Sequence, residues 1–161
     1  MNGVPLHPAL VHVPLGLAVG APVVAIAVLV AVWRGWLPAR AWLVVTIVQL
    51  MIAGGTFVAV STGQDEEEKV EKIVPEEAIE EHEESGKWFQ WTALIAAVFS
   101  VMVVVAEKHP IGRPAMILAT VLTLLVAAVA VRTGQLGGKL VYEHGAAEAH
   151  TGDRPPAADH D

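Results

Sequence analysis

The chain has 161 residues, of which 54% are hydrophobic, and it carries a formal net charge of −7 at pH 7. Its mean hydropathy of +0.54 is too high for a soluble domain of this size, so a soluble fold is excluded. The negative charge and the lack of a basic patch exclude nucleic-acid binding, and the lack of cysteine excludes disulfides, thiolate metal sites and covalent haem attachment.

Four apolar windows predict four membrane-spanning helices. The windows contain no Lys, Arg, Asp or Glu and cover about residues 9–32, 41–60, 88–106 and 115–131. All four have the length that a helix needs to cross a bilayer, which is about 20 residues with roughly 17 tolerated, and in hydrocarbon only a helix satisfies its own backbone. The predicted fold class is therefore an all-α membrane protein, with four transmembrane helices forming an antiparallel bundle.

The first span begins in a segment that contains His7 and His12, with Gly16 and Gly20 one and two turns further on. No basic residue precedes its long apolar run, so we expect a retained span rather than a cleaved signal. An ionisable residue inside a membrane is costly and is often functional, which makes His12 a candidate ligand. The alternative is a helix-start residue bonded to the backbone. Gly16 and Gly20 would let a flat cofactor or a second helix approach closely.

The charges of the connections predict an orientation. The short connections 34–40 and 107–113 hold four basic residues and one acid, whereas the other side holds 16 of the 17 acids. The positive-inside rule then places both short connections in the cytoplasm of a bacterial inner membrane, with both termini and the acidic loop 64–86 outside. An aromatic belt is predicted at the two boundaries, formed by Trp33, Trp36 and Trp42 on one side and by Trp88 and Trp91 on the other.

A strongly acidic segment lies between the second and third spans. It runs from Asp65 to Glu84, is interrupted by Pro75, and places His82 among six glutamates. Because proline suits the first turn of a helix, we expect a helix after Pro75 that continues into the third span. His82 is a candidate ligand or a solvated surface histidine. The acids form a solvated face or a docking patch for a cationic electron carrier.

The second and fourth spans end in the same three residues, Thr-Gly-Gln at 62–64 and at 133–135, and Arg132 precedes the second copy. His12 lies 50 residues before Thr62, and His82 lies 51 residues before Thr133. This register predicts two repeated hairpins in which His12 and His82 are symmetry mates near the bundle axis. The alternative is a coincidence of two ordinary helix stops. The Pro-, Ala- and Asp-containing tail 147–161 is predicted to be disordered.

Two segments resemble a known family. They are LHPALVHVPL at 6–15 and TGQLGGKLVYEHG at 133–145. Together they are similar to the DUF2231 family of small four-span bacterial membrane proteins, a resemblance that covers residues 3 to 146. Some relatives are fused to c-type cytochrome domains, so the resemblance implies a redox setting with b-type haem. Relatives often carry His at the position of Gln135, so a ligand there would be lost in this chain or replaced by His144.

A b-type haem in a helical bundle needs two neutral imidazoles on different helices, facing each other across a slot. The symmetry of the two repeated hairpins makes His12 and His82 the first candidates for the axial pair. His7 and His144 are candidates for a second pair, or for hydrogen bonds to the first ligands. Arg132 is a candidate partner for the haem propionates.

Three functions remain open from the sequence. The preferred one is a membrane b-type haem electron-transfer protein that is a subunit or partner of a larger redox or respiratory complex. The second is a cofactor-free scaffold or accessory subunit, in which the histidines only cap and pack helices. The third is a protein that handles copper or zinc at the outer face with the same histidines. The sequence has no phosphate loop, nucleophile elbow or HExxH motif, so no enzymatic activity is predicted.

Overall fold

The computed structural model describes residues 6–109 and 111–151, and no strand occurs in this part of the chain. Its elements are α1 (Leu6–Leu10), α2 (His12–Trp33), a 3₁₀ turn (Ala39–Trp42), α3 (Leu43–Val70), α4 (Glu76–Val105), α5 (Gly112–Tyr142) and α6 (Glu148–Thr151). The predicted all-α fold class is confirmed.

Four helical segments are long and apolar enough to cross a membrane. They are His7–Trp33, Ala39–Asp65, Glu76–Val105 and Gly112–Tyr142. Only 28% to 33% of each apolar window is buried inside the bundle. Because the remaining surface is apolar and faces outward, lipid is the solvent that suits it. The predicted four-span membrane protein is confirmed.

The four long helices form a bundle in which each packs mainly against two neighbours. α2 contacts α3 and α5, and α4 contacts the same two helices. Short connections make consecutive helices antiparallel. Most of the central core residues are alanines, which allow the close helix approach that membrane bundles use. This core consists of Ala18, Ala21, Ile52, Ala53, Phe89, Ala93, Ala96, Ala97, Val126 and Ala130.

We call the end of the bundle with connections 34–42 and 106–111 the basic end, and the end with connection 71–75 the acidic end. At the basic end, Trp42 is fully buried and its Nε1 donates to Ser100 Oγ at 3.0 Å. The predicted place of Trp42 in an aromatic belt is therefore wrong, because a buried hydroxyl satisfies its indole. Trp33 and Trp36 at this end are exposed, as are Trp88 and Trp91 toward the other end.

At the acidic end the helices continue well past the apolar windows. The predicted loop 64–86 is helical except for residues 71–75, since α3 runs to Val70 and α4 begins at Glu76. Glu and Lys are good helix formers, so nothing in the acidic residues stops α3 at the end of its apolar window. The expected helix after Pro75 does form, and Glu76 and Glu77 in its first turn suit the helix dipole.

A small apolar cluster holds the acidic end together. Val74, Ile79 and Ala146 are buried there, and Leu140 packs against them. The chain turns back after α5, where the amide of Ala146 donates to the carbonyl of Leu140 at 2.9 Å and Gly145 has φ +71°. Only glycine adopts this φ without strain. Of the tail for which disorder was predicted, residues 148–151 form α6, and residues 152–161 lie outside the described part of the chain.

Candidate functional site

The acidic end brings together two histidines that lie far apart in sequence. His7 is on α1 and His82 is on α4, and their ring centroids are 6.3 Å apart with an interplanar angle of 81°. Both side chains are partly buried. We call these residues the histidine pair.

Contacts with α3 hold the imidazole of His7 in place. Nδ1 of His7 donates to the carbonyl oxygen of Ala59 at 2.9 Å, and Thr62 Oγ1 lies 3.3 Å from the same nitrogen. A carbonyl oxygen can only accept a hydrogen bond, so the proton of the neutral ring is assigned to Nδ1 and the lone pair to Nε2. This arrangement is common for metal-binding histidines, in which the second ring nitrogen is oriented by a backbone carbonyl.

Two glycines make room for the two rings. A Cβ at Gly63 would lie 3.1 Å from Cε1 of His7, and a Cβ at Gly137 would lie 3.1 Å from Cε1 of His82. Both distances are shorter than an ordinary van der Waals contact of a Cβ atom. Each imidazole therefore packs against the helix backbone at a position where glycine fits better than any larger residue. Gly63 follows His7 by 56 residues, and Gly137 follows His82 by 55. In these contacts His7, rather than His12, is therefore the counterpart of His82.

His82 contains an unsatisfied polar atom. Its Nδ1 is buried and has no hydrogen-bond partner among the described residues. An orphaned buried donor or acceptor costs about 1–3 kcal/mol. Next to it, the hydroxyls of Ser85 and Thr133 lie 2.8 Å apart and tie α4 to α5. The pair thus lies beside a hydrogen-bonded contact between α4 and α5, and it contains one buried imidazole nitrogen without a partner among the described residues.

Charged side chains surround the acidic end. Glu67 on α3 shares a hydrogen bond with Glu83 on α4, and this bond, together with repulsion by the Glu83 charge, raises the pKa of Glu67 above its ordinary value of 4.5. Lys87 Nζ lies 3.0 Å from Glu83 Oε2, and Arg132 lies 3.6 Å from Glu81 Oε1. These ion pairs lie at the surface, so they add little to stability. Acidic residues outnumber basic ones at this end of the bundle, so its surface is strongly acidic.

The other candidates from the sequence lie apart from this contact. His12 is exposed, and its Nδ1 donates to the carbonyl of Pro8 at 2.6 Å. Gly16 and Gly20 are exposed, and an added Cβ at either would meet no atom within 4 Å. His144 lies partly buried in the turn after α5, where its amide bonds the carbonyl of Lys139 at 3.2 Å.

The sequence interpretation missed Gly63 and Gly137 as site residues. Gly63 lies in the Thr-Gly-Gln stop at 62–64, and Gly137 lies in the family-like segment 133–145. A histidine followed 55 or 56 residues later by a glycine was the available signal. It carries no meaning until two helices are known to pack at that point.

The protein offers two side chains to a ligand at this site. Among residues 6–109 and 111–151, no group of three or more His, Cys, Asp or Glu converges on a metal position. Two clefts lie away from the pair. One of about 130 Å³ is lined by Glu84, Lys87, Trp88 and Trp91, and one of about 550 Å³ lies at the basic end.

Comparison with known proteins gives one match. The model of a family described as "Predicted membrane protein (DUF2231)" matches residues 3–150. No curated protein and no solved structure matches the chain.

Proposed function

The chain belongs to the DUF2231 family of membrane proteins, and we propose that within the membrane it works as a haem protein in which His7 and His82 would hold the haem. The observation that carries the proposal is the convergence of two imidazoles from α1 and α4, with ring centroids 6.3 Å apart. The proposal keeps His82 from the predicted axial pair and replaces His12 with His7.

The spacing of the rings supports this choice. Imidazole nitrogens bind metals at about 2.0–2.1 Å, and a ring centroid lies about 1.1 Å behind its nitrogen. Two imidazoles that held one ion would therefore have centroids no more than roughly 6–7 Å apart. The observed separation is 6.3 Å.

The number of protein ligands favours haem over a bare ion. Structural zinc sites use four protein ligands and catalytic zinc sites use three, whereas a b-type haem iron takes two axial side chains. In the described chain two imidazoles meet with no third ligand group. Copper or zinc handling by the same residues is therefore the weaker proposal.

The chain's own residues would orient and enclose the group. The Ala59 carbonyl fixes the ring of His7, and Gly63 and Gly137 let both imidazoles sit close to α3 and α5. A bound haem would supply one-electron transfer. Arg132, exposed on α5, remains a proposed partner for a propionate, and it would have to leave Glu81, 3.6 Å away.

The surroundings of the site support a partnership in electron transfer. The site lies at the acidic end, so we propose that a cationic electron carrier docks there and that other redox or respiratory subunits bind the bundle. The four basic residues at the opposite end support a bacterial inner-membrane location with the acidic end outside the cytoplasm. We propose no catalytic residue.

The close packing of the pair favours a second candidate, a cofactor-free scaffold. Each ring packs against a glycine backbone, and neither described cleft is lined by His7 or His82. In this alternative the pair is a clamp that holds α1 against the bundle, and the protein serves as an accessory subunit of a larger complex.

One experiment separates these candidates. The protein is produced with ample haem supply, purified in mild detergent and examined by a reduced-minus-oxidised visible spectrum and by metal analysis. His7→Ala and His82→Ala are compared with His12→Ala and His109→Ala, which lie outside the pair. A b-type signal lost in the first two variants and kept in the controls supports the proposal.

The opposite outcomes are equally clear. A folded, haem-free wild type overturns the haem proposal and favours the scaffold. Metal without porphyrin, lost in the same two variants, favours copper or zinc handling. A haem signal that survives His7→Ala but not His12→Ala would return the axial role to His12.

A further inference from the structure

The larger cleft lies at the basic end of the bundle, opposite to the histidine pair. It has a volume of about 550 Å³ and is bounded by the end of α2, the connection before α3, and the α4–α5 connection. We call it the basic-end cleft. It is independent of the proposed haem site.

One wall of the cleft is positively charged. Lys108, His109 and Arg113 line it, with Glu107 as the acid among them. In the described residues the ion pairs join Lys87 to Glu83 and Arg132 to Glu81, and neither Lys108 nor Arg113 forms an ion pair within 4.0 Å. Two basic side chains that form no ion pair beside a cavity suit an anionic ligand.

The other wall is apolar. Val32 of α2, Leu37 of the connection and Met116 of α5 line it. Close in sequence, Trp33 and Trp36 are 53% and 71% exposed. Exposed tryptophans mark the border between hydrocarbon and headgroups, so the cleft opens at the depth of the lipid phosphates.

We propose that the basic-end cleft binds the headgroup of an anionic phospholipid. Lys108 and Arg113 would contact the phosphate, and Val32, Leu37 and Met116 would cover the glycerol and the first acyl carbons. A free phosphate would leave the apolar wall without a partner, whereas a phospholipid satisfies both walls. Basic pockets between transmembrane helices are known to select anionic headgroups in this way.

The test uses the full chain in neutral detergent. Thermal unfolding is followed after addition of phosphatidylglycerol, phosphatidylcholine or inorganic phosphate, and bound lipids are counted by native mass spectrometry. The variant is Lys108→Gln/Arg113→Gln. The matched control is Arg34→Gln/Arg40→Gln, which removes the same charge from the same end but from residues outside the cleft lining.

We expect phosphatidylglycerol to raise Tm and to bind in preference to phosphatidylcholine, in both the wild type and the control. The cleft variant should bind it roughly tenfold more weakly or worse, since each basic residue near an anionic surface contributes several-fold. The charge-conserving Lys108→Arg/Arg113→Lys variant should keep the effect, which separates lost binding from misfolding.

Three results would overturn the proposal. The first is an equal effect of the two lipids on Tm and binding. The second is an equal loss of binding in the two double variants, which would indicate bulk surface charge. The third is a Tm shift of the same size with inorganic phosphate alone. The haem spectrum serves as an independent readout, because the cleft variants should leave it unchanged.

Discussion

The imidazoles of His7 and His82 meet at the acidic end with their ring centroids 6.3 Å apart. His7 belongs to the short helix α1, which packs on α3, and His82 belongs to α4, which packs on both α3 and α5. The contact therefore joins the start of the first hairpin to the second hairpin. Any role of the pair, in binding or in packing, depends on this junction.

The two glycines beside the rings lead to the first prediction. An exposed Gly→Ala change inside a helix stabilises it by about 0.5–1 kcal/mol. Gly63→Ala and Gly137→Ala should lose this gain and become destabilising, because each new Cβ would lie 3.1 Å from an imidazole carbon. Thermal unfolding in detergent measures the effect.

Gly138→Ala is the matched control for this prediction. Gly138 is also in α5, directly after Gly137, and an added Cβ there meets nothing within 4 Å. We expect it to raise Tm slightly. An equal change of Tm in the variants at 137 and 138 would mean that the ring of His82 does not pack against Gly137.

The anchoring of His7 leads to the second prediction. His7→Ala removes the hydrogen bond to the Ala59 carbonyl and the contact with Gly63, and should cost about 1–2 kcal/mol. His12→Ala removes only a local bond to Pro8 on an exposed surface, and should change stability by about 0.5 kcal/mol or less. The free energy of unfolding of haem-free protein measures both changes.

A double-mutant cycle sharpens this test. If the two rings stabilise each other directly, the combined loss in His7→Ala/His82→Ala should differ from the sum of the single losses. Strict additivity would contradict a direct interaction in the cofactor-free state. It would leave open their joint use by a ligand, which the spectrum tests separately.

The sequence was sufficient to predict the four helices and the start of α4, but not the partner of His82. Apolar windows identify spans because hydrocarbon tolerates nothing else, and Pro75 identifies the start of α4 because proline suits a helix N-terminus. The buried faces of the spans are harder to predict from the sequence, because a helix in lipid is apolar on its buried and its exposed sides alike. Pairing His12 with His82 relied on the Thr-Gly-Gln stops. The packing instead follows Gly63 and Gly137, which shifts the partner to His7.

Carboxyl pairing at the acidic end leads to the third prediction. The hydrogen bond to Glu83 and its charge raise the pKa of Glu67 above 4.5. A carboxyl with a raised folded-state pKa stabilises the fold below its unfolded pKa, and that stability is lost as pH rises through the folded pKa. Glu67→Gln keeps a donor for Glu83 at every pH. It should therefore raise Tm relative to the wild type at pH 7, and the difference should disappear toward pH 4.

Glu80→Gln is the control for charge alone, since Glu80 is an exposed residue on α4. Thermal unfolding between pH 4 and pH 7 compares the two variants. If Glu80→Gln reproduces the whole pH-dependent gain, general repulsion among the acids explains it, and the specific bond between Glu67 and Glu83 does not.

A buried polar contact in the middle of the membrane leads to the fourth prediction. Gln49 of α3 is fully buried, and its Nε2 donates to Thr123 Oγ1 of α5 at 2.6 Å, while its Oε1 has no partner in the described structure. Thr123→Val should cost about 1–2 kcal/mol, because it leaves the whole amide of Gln49 unpaired in an apolar core. Gln49→Met removes the orphaned oxygen together with the amide and should stay within about 1 kcal/mol of the wild type.

A double-variant comparison tests this link. In the Gln49→Met background, Thr123→Val should become nearly neutral, because the Thr123 hydroxyl then bonds only the Ala119 carbonyl of its own helix. Unfolding of the four proteins in detergent measures this coupling. A Thr123→Val penalty that is the same in both backgrounds would show that the link between α3 and α5 contributes nothing to the bundle.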